Sequence, residues 1–259
     1  MTDDAPQTPP APSRTLPRWL TAGRLALGVS VVALGLAAAP YLSGGDFGGR
    51  VRTYLLANPQ VLDEVVAARE TAANDARVSE VNAALAANPA LLNHDPRDPS
   101  IGPLDAKVVV HEFFDYRCPG CKAVSSDFLR IVLSNPDVRF VFKEWPILDR
   151  GDDVTSQYAA RAALAAQAQG RYLPVHQALM AEPSLSRESI DRILTANGVA
   201  LPQASTAIAS PDTTRHIADI HAAADTLKLT GTPTFIINGK ATSSISPEEV
   251  AAAIAAAKA

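Results

Sequence analysis

Cys118 and Cys121 are the only cysteines in the 259-residue chain. They lie in the stretch Phe113-Phe114-Asp115-Tyr116-Arg117-Cys118-Pro119-Gly120-Cys121-Lys122. An apolar β-like run precedes them and an amphipathic helix-like run follows, which is where a thiol–disulfide redox pair sits on a β-α unit. Two intervening residues let both sulfurs meet at the first turn of a helix. The unpaired N–H groups and positive dipole end there favour a thiolate at the first cysteine. Pro119 falls at the first helical position, where its missing N–H costs nothing. Arg117 and Lys122 flank the pair and are expected to favour the thiolate further. Cys118 is therefore read as the exposed nucleophile and Cys121 as the more buried resolving thiol, with Pro119 and Gly120 between them facing the substrate. A substrate sulfur exchanges with Cys118 through a mixed disulfide, and Cys121 closes the cycle.

Two blander readings compete. A structural zinc needs four ligands, and there is no second cysteine pair. The histidines (His94, His111, His176, His216, His221) show no ligand spacing, and His176 reads as a packing or surface residue. An inert structural disulfide closing so short a loop would constrain the unfolded chain little.

The length suits one fair-sized domain with attachments. A net charge of −4 gives no nucleic-acid footprint. No cofactor is implied. Abundant alanine and few aromatics point to Ala-rich helix.

Residues 1–19 are polar and Pro-rich and are expected to be a disordered cytoplasmic tail. Arg14, Arg18 and Arg24 precede an uncharged run from Leu25 to Gly45. Residues 20–45 therefore read as a membrane anchor or signal segment with its positive charges inside. The run is near the length needed to span a bilayer, and Pro40 after Ala37-Ala38-Ala39 is a poor first mature residue. An uncleaved inner-membrane anchor is thus expected, with everything after it on the oxidising, periplasmic side.

Residues 46–92 read as a helical region. Asn58 is expected to cap a helix with Pro59 at its first position. Val61, Leu62, Val65 and Val66 make one apolar patch, and Val78, Val81 and Leu85 a second, before Asn88-Pro89. The region either packs on the main domain or drives self-association.

Residues 93–259 form the main domain. Asn93 to Asp105 reads as loop, and Val108 to Phe114 as a buried strand that carries Glu112. A carboxyl on a core strand six residues before the nucleophile is costly unless used, and Glu112 is expected to accept the Cys121 proton with a raised pKa. The helix from Cys118 and the strand Val138–Lys143 complete a right-handed βαβ unit. Three or four helices are expected in an inserted subdomain at about 147–229. Pro233 opens the next strand, and the Thr232–Pro233 bond is expected to be cis and to face Cys118, turning the Thr232 backbone toward an extended substrate segment. Asn238-Gly239 signals a hairpin pairing Phe235–Ile237 with Ala241–Ser243. Ser246-Pro247-Glu248-Glu249 reads as a capping box before the last helix.

From about Leu104 onward the chain resembles the DsbA-like thiol–disulfide oxidoreductases of bacterial envelopes. The residues that carry the likeness are Glu112-Phe113-Phe114-Asp115-Tyr116, Cys118-Pro119-Gly120-Cys121 and Gly231-Thr232-Pro233-Thr234-Phe235. The resemblance implies an α/β thioredoxin fold interrupted by a helical subdomain, with Glu112 as the buried acid and Pro233 cis. Val51 to Leu92 looks like the N-terminal region of the ScsC and Com1-like branch, which implies a possible homotrimer and isomerase activity. Strongly oxidising members carry His where this chain has Gly120. Thr232 before the proline is also found in dimeric isomerases.

The expected function is an envelope thiol–disulfide oxidoreductase, oxidase or isomerase. It would act on cysteine-containing exported proteins and be reset by a membrane redox partner. The alternatives are a copper-handling protein holding a soft ion on Cys118 and Cys121, and a non-catalytic holdase using the apolar groove around the motif.

Overall fold

The computed structural model describes residues 29–35 and 47–259. They fall into two compact units that divide between Ala68 and Arg69.

In the first unit, helix α1 is described over residues 29–35, and α2 (Phe47–Ala57) buries none of its residues. Asn58 ends α2 rather than capping the next helix. Its side-chain Nδ2 donates to the Tyr54 carbonyl at 2.9 Å, and α3 (Gln60–Ala87) begins two residues later. The expected anchor at 20–45 lies mostly outside the described residues. Among the described residues no helix is long and apolar enough to cross a membrane.

The second unit is built on a five-stranded sheet in the order β1-β3-β2-β4-β5, with β1 Ser100–Ile101, β2 Val109–Phe114, β3 Arg139–Glu144, β4 Thr234–Ile237 and β5 Lys240–Ala241. β2 and β3 are parallel, and the other pairings are antiparallel. β2 is central, paired on both sides, and all but its first residue are buried. Side chains alternate across a strand. Val110, Glu112 and Phe114 therefore share one face, and His111 and Phe113 the other.

The first face packs against α4 (Pro119–Ser134), whose Cys121, Val124, Phe128 and Val132 recur at helical spacing, and against Val250 and Ile254 of α10 (Pro247–Lys258). The same core continues into helices α5 (Thr155–Gln167), α6 (Tyr172–Ala181), α7 (Arg187–Ala196) and α8 (Leu201–Ile208). α5 buries Ala159, Ala160, Ala162, Ala163, Ala165 and Ala166. Small side chains around so much of its girth let α6, α7 and α8 approach it closely. On the other face, Phe113 and Ile236 pack with Trp145, with Ile220 and Ala224 of α9 (Pro211–Thr226), and with Val81 and Leu85 of α3.

Several expectations change here. The segment between β3 and β4 holds five helices rather than three or four, and α9 crosses to the opposite face of the sheet. α8 was hidden by its Leu201-Pro202 start. Residues 89–105 are not all loop: a 3-10 turn at Pro89–Leu92 and the strand β1 lie there, too short to show periodicity. The second half of α3 belongs with the main unit and not with a separate region ending at residue 92. Its Asn82 accepts from the Ala241 N–H at 2.8 Å and its Asn74 donates to the Ser243 carbonyl at 2.6 Å, so α3 covers the exposed edge of β5.

The hairpin turn forms at Asn238-Gly239, both at positive φ, as a two-residue primed turn requires. It pairs Ile236 with Ala241 and Ile237 with Lys240, a shorter ladder than expected. Asn238 Oδ1 also accepts from the Val109 N–H at 2.8 Å, which pins the turn to β2. Ser246 does precede α10, but no capping box forms, because its hydroxyl donates to Glu248 instead.

Candidate active site

Cys118 is the N-cap of α4, with Pro119 in the first turn, and its sulfur accepts from the Cys121 N–H at 3.5 Å. Both cysteines are free thiols. Cys118, expected to be exposed, is itself buried at 7% exposure because Pro233 and Ile245 pack against the dithiol loop, and Cys121 is fully buried. The Cys118 thiol is lowered to about 5. The hydrogen bond from the Cys121 thiol is the largest cause, and the Thr232 side chain and the backbone N–H groups of Cys121 and Gly120 add to it, against the cost of burial. Cys121 is pushed far up, first by burial, then by its bond to Cys118 and by the charges of Cys118 and Glu112. The two sulfurs thus differ as a nucleophile and a resolving thiol must.

Arg117 and Lys122 do not supply the expected help. Arg117 pairs with Asp153 at 2.8 Å and Asp149 at 3.5 Å. Lys122 donates to the carbonyls of Leu179 and Met180 at the end of α6. Hydrogen bonds from Cys121, Thr232 and Gly120, not flanking charge, favour the thiolate. Asp115 holds the loop before Cys118. Its carboxylate accepts from the N–H groups of Arg117, Ile147 and Leu148 and from the Ser156 hydroxyl, at 2.7 to 2.9 Å.

The Thr232–Pro233 peptide is cis. The Thr232 carbonyl accepts from the Cys118 thiol at 3.1 Å, and the Thr234 hydroxyl donates to the Gly231 carbonyl at 2.7 Å, steadying the turn. Pro233 packs over the dithiol loop: a Cβ added at Gly120 would lie 3.3 Å from Pro233 Cδ, 3.7 Å from Cys118 Sγ and 3.7 Å from Ile245 Cδ1. From there a cleft runs between the Thr230–Phe235 segment, the Thr242–Ile245 loop and Arg77 and Val78 of α3.

Glu112 lies on β2, on the face covered by α4. It is 3% exposed, and its Oε2 has no hydrogen-bond partner among the described residues. Burial raises it to about 8. An orphaned buried carboxyl of this kind holds its proton at neutral pH, so it can give that proton to a departing Cys121 thiolate and, once ionised, take one back.

A second buried polar group was not read from the sequence. Glu144 closes β3, and its Oε1 accepts from Tyr116 Oη at 3.0 Å and Tyr172 Oη at 2.9 Å. His176, read as packing or surface, is buried against both tyrosines. The available signal was a carboxyl ending an apolar strand, the same signal that pointed to Glu112. Among the described residues no group of three or more His, Cys, Asp or Glu is placed to hold a metal ion.

Residues 94–256 match the family described as Thioredoxin. A thioredoxin-like oxidoreductase from Silicibacter pomeroyi DSS-3 is 36% identical with a TM-score of 0.58, over 63% of this chain and 94% of that one. Proteus mirabilis ScsC in a transitional conformation is 25% identical with a TM-score of 0.60, over 80% and 93%. Among curated proteins, Na(+)/H(+) antiporter NhaA 3 of Salinispora tropica is 32% identical over 148 residues, which is 56% of this chain and 22% of the antiporter. The chain spans only about a fifth of the length of the curated relatives it matches. With its sheet order, Cys118–Cys121 at a helix N-terminus and residues 94–256 matched, the chain belongs to the thioredoxin family.

Proposed function

We propose that the protein oxidises cysteine pairs of exported proteins on the outer side of the inner membrane. The observation that carries this reading is the Cys118 sulfur at the start of α4, drawn down to about 5 beside a fully buried Cys121. A stabilised thiolate favours the reduced form, so the Cys118–Cys121 disulfide gives up its oxidising equivalents readily.

In the forward direction a substrate thiolate attacks Cys118. The Cys118–Cys121 bond breaks, a substrate–Cys118 bond forms, and Cys121 takes a proton from Glu112. A second substrate thiolate attacks the substrate sulfur and expels Cys118 as its thiolate. The substrate dithiol has lost two electrons and the protein disulfide has gained them. The Thr232 carbonyl, no longer bonded to a thiol proton, is then open to an N–H of an extended substrate segment. Pro119 and Gly120 line the approach. A membrane redox partner restores the disulfide. The uncharged run from Leu25 to Gly45, preceded by Arg14, Arg18 and Arg24, supports membrane placement, and so does the likeness of this chain to part of an antiporter.

One observation favours isomerase activity as a second reading. Val51, Tyr54, Leu56, Leu62, Val65 and Val66 are between 40% and 71% exposed, which suits self-association, as a trimer, through residues 51–92. In that case the reduced Cys118 attacks wrong disulfides.

The test uses the full-length chain and a model enzyme. Disulfide form plus reduced enzyme should yield oxidised enzyme. Fully reduced protein plus scrambled enzyme should yield little active enzyme. Recovery of the scrambled enzyme that vanishes in Cys118→Ser would replace the oxidase reading by the isomerase one. Stoichiometric Cu(I) binding with no exchange in either assay would replace both.

A further inference from the structure

The cleft beside the dithiol loop has a wall that the sheet does not supply. Besides Thr232, Pro233 and Ile245, it is lined by Arg77, Val78 and Val81 from the second half of α3. Its volume is about 200 Å³. That is below the roughly 300–1,000 Å³ of a small-molecule pocket, and it suits side chains of a passing chain rather than a small ligand. The cleft is continuous with the reacting sulfur. Thr232 lines it, and the Thr232 carbonyl accepts from the Cys118 thiol at 3.1 Å.

The α3 wall is fixed in place. Asn74 donates to the Ser243 carbonyl at 2.6 Å, and Asn82 accepts from the Ala241 N–H at 2.8 Å. Val81 and Leu85 are buried with Phe113 and Ile236. Arg77 stands between these anchors on the same helix. Its side chain is exposed and donates to Asn74 Oδ1, which leaves most of its N–H fork free. Arg97, Arg117, Arg130, Arg192 and Arg215 each pair with an Asp or Glu. Arg77 pairs with no carboxylate among the described residues.

The charge of the cleft is therefore of one sign. Arg77 is the only charged side chain lining it among the described residues; Asp75 and Glu80, its neighbours on α3, do not. Next to the dithiol loop the lining is apolar. Ile245 is 42% exposed, and its Cδ1 would lie 3.7 Å from a Cβ added at Gly120. A segment entering from Cys118 meets an apolar surface first and a positive one at α3. The planar fork of an arginine matches a carboxylate in shape as well as in charge.

We propose that Arg77 is a specificity-determining residue: the α3 wall of the cleft seats an extended acidic segment of the substrate protein, with a carboxylate on Arg77 while a nearby substrate cysteine is bonded to Cys118. Arg77 touches no reacting atom and leaves the exchange as it is. Two substrate thiols give way to one S–S bond, the Cys118–Cys121 bond gives way to a Cys118 thiolate and a Cys121 thiol, and one proton goes to solvent. The inference rests on the exchange reading of Cys118 and Cys121.

The test measures the second-order rate constant for oxidation of short two-cysteine peptides by the oxidised full-length protein. The peptides carry Asp, Asn or Lys at successive positions on either side of the cysteines. Asp should be favoured over Lys by about two- to fivefold, the size of an exposed ion pair, on one side of the cysteines and not the other. The preference should shrink as salt is added. Arg77→Glu should reverse it at the same position, and Arg77→Lys should keep its sign. The effect of Asp on the peptide's own thiols is common to all three proteins and cancels in their ratio. An Asp-to-Lys ratio that is the same in wild type and Arg77→Glu overturns the proposal. So does an acid preference equal at every position, which is long-range steering rather than a seat. Rates blind to acid, together with a dimer that Arg77→Glu disperses in sedimentation velocity, give the cleft to a second copy of this chain and overturn it too. Oxidation of none of the peptides, or an unchanged rate in Cys118→Ser, overturns the exchange reading instead.

Discussion

A thiol lowered to about 5 is a stability statement, and it can be isolated by comparing the two redox forms of the same chain. In the reduced form Cys118 has its ordinary value, 9.0, when unfolded and about 5 when folded. The sign follows from the group being an acid with a depressed folded pKa. Its contribution is complete above the unfolded value and is lost as pH falls through about 5. At pH 7 the two units between 5 and 7 amount to about 2.7 kcal/mol at 1.36 kcal/mol per unit. This is an upper figure, because the unfolded chain keeps some structure and the small exposed part of Cys118 still admits screening. The oxidised form lacks the thiolate but has a disulfide closing a four-residue loop, which stabilises it by about 2 kcal/mol in the chain-entropy account. The two forms should therefore be nearly matched around pH 7. The reduced form should gain about 1 kcal/mol per pH unit above that, and the oxidised form should win near pH 5. Urea unfolding of both forms, in parallel from pH 5 to pH 8.5, reads the difference directly and cancels every group the forms share. A gap that does not change with pH over that range refutes the reasoning, because no thiolate would then be held by the fold.

Gly120→His should lower Cys118 further, by about one unit, since the new Cβ starts 3.7 Å from the sulfur and an imidazolium there favours the thiolate. Ultraviolet titration of the thiolate checks it. Glu112→Gln should slow Cys121-driven release of a glutathione adduct by about a hundredfold or more above pH 8, where the carboxylate is charged and can act as a general base, without changing attack by Cys118 on an added disulfide. Stopped-flow measurement of both steps separates them. Leu85→Ala should destabilise the main unit by about 2–5 kcal/mol, because Leu85 is 2% exposed among Phe113, Trp145 and α9. Val66→Asp should change stability by less than about 0.5 kcal/mol, since Val66 is 54% exposed. Sedimentation velocity of the Val66→Asp chain then tests self-association: an unchanged mass distribution rules out the Val61–Val66 patch as its contact.

The legible parts of the chain were local. Cys118, Pro119 and Cys121 stand at the first turn of α4 because a cap, a first-turn proline and an amphipathic run are signals within a few residues. The Asn238-Gly239 turn and the Asn88-Pro89 break belong to the same kind. Glu112 was legible because an acid inside an apolar strand is anomalous by itself. Pairings across the chain were not legible. Asn74 and Asn82 look like ordinary polar helix positions until they meet Ser243 and Ala241, more than 150 residues away. Arg117 and Lys122 were misjudged for the same reason: a charge near the motif in sequence is free to turn to partners brought in from elsewhere, here Asp153 and the end of α6.

The sequence alone determined the chemistry. Two cysteines at this spacing before a helix leave little else for the motif to do, because the helix terminus that activates the sulfur is made of the same residues. Tertiary structure decided the protonation. Which carboxyls are stripped of water, which tyrosines reach them and which sulfur is sealed from solvent depend on helices separated from Cys118 by up to a hundred residues. Desolvation is a property of everything packed around a group, and no short stretch of chain encodes it.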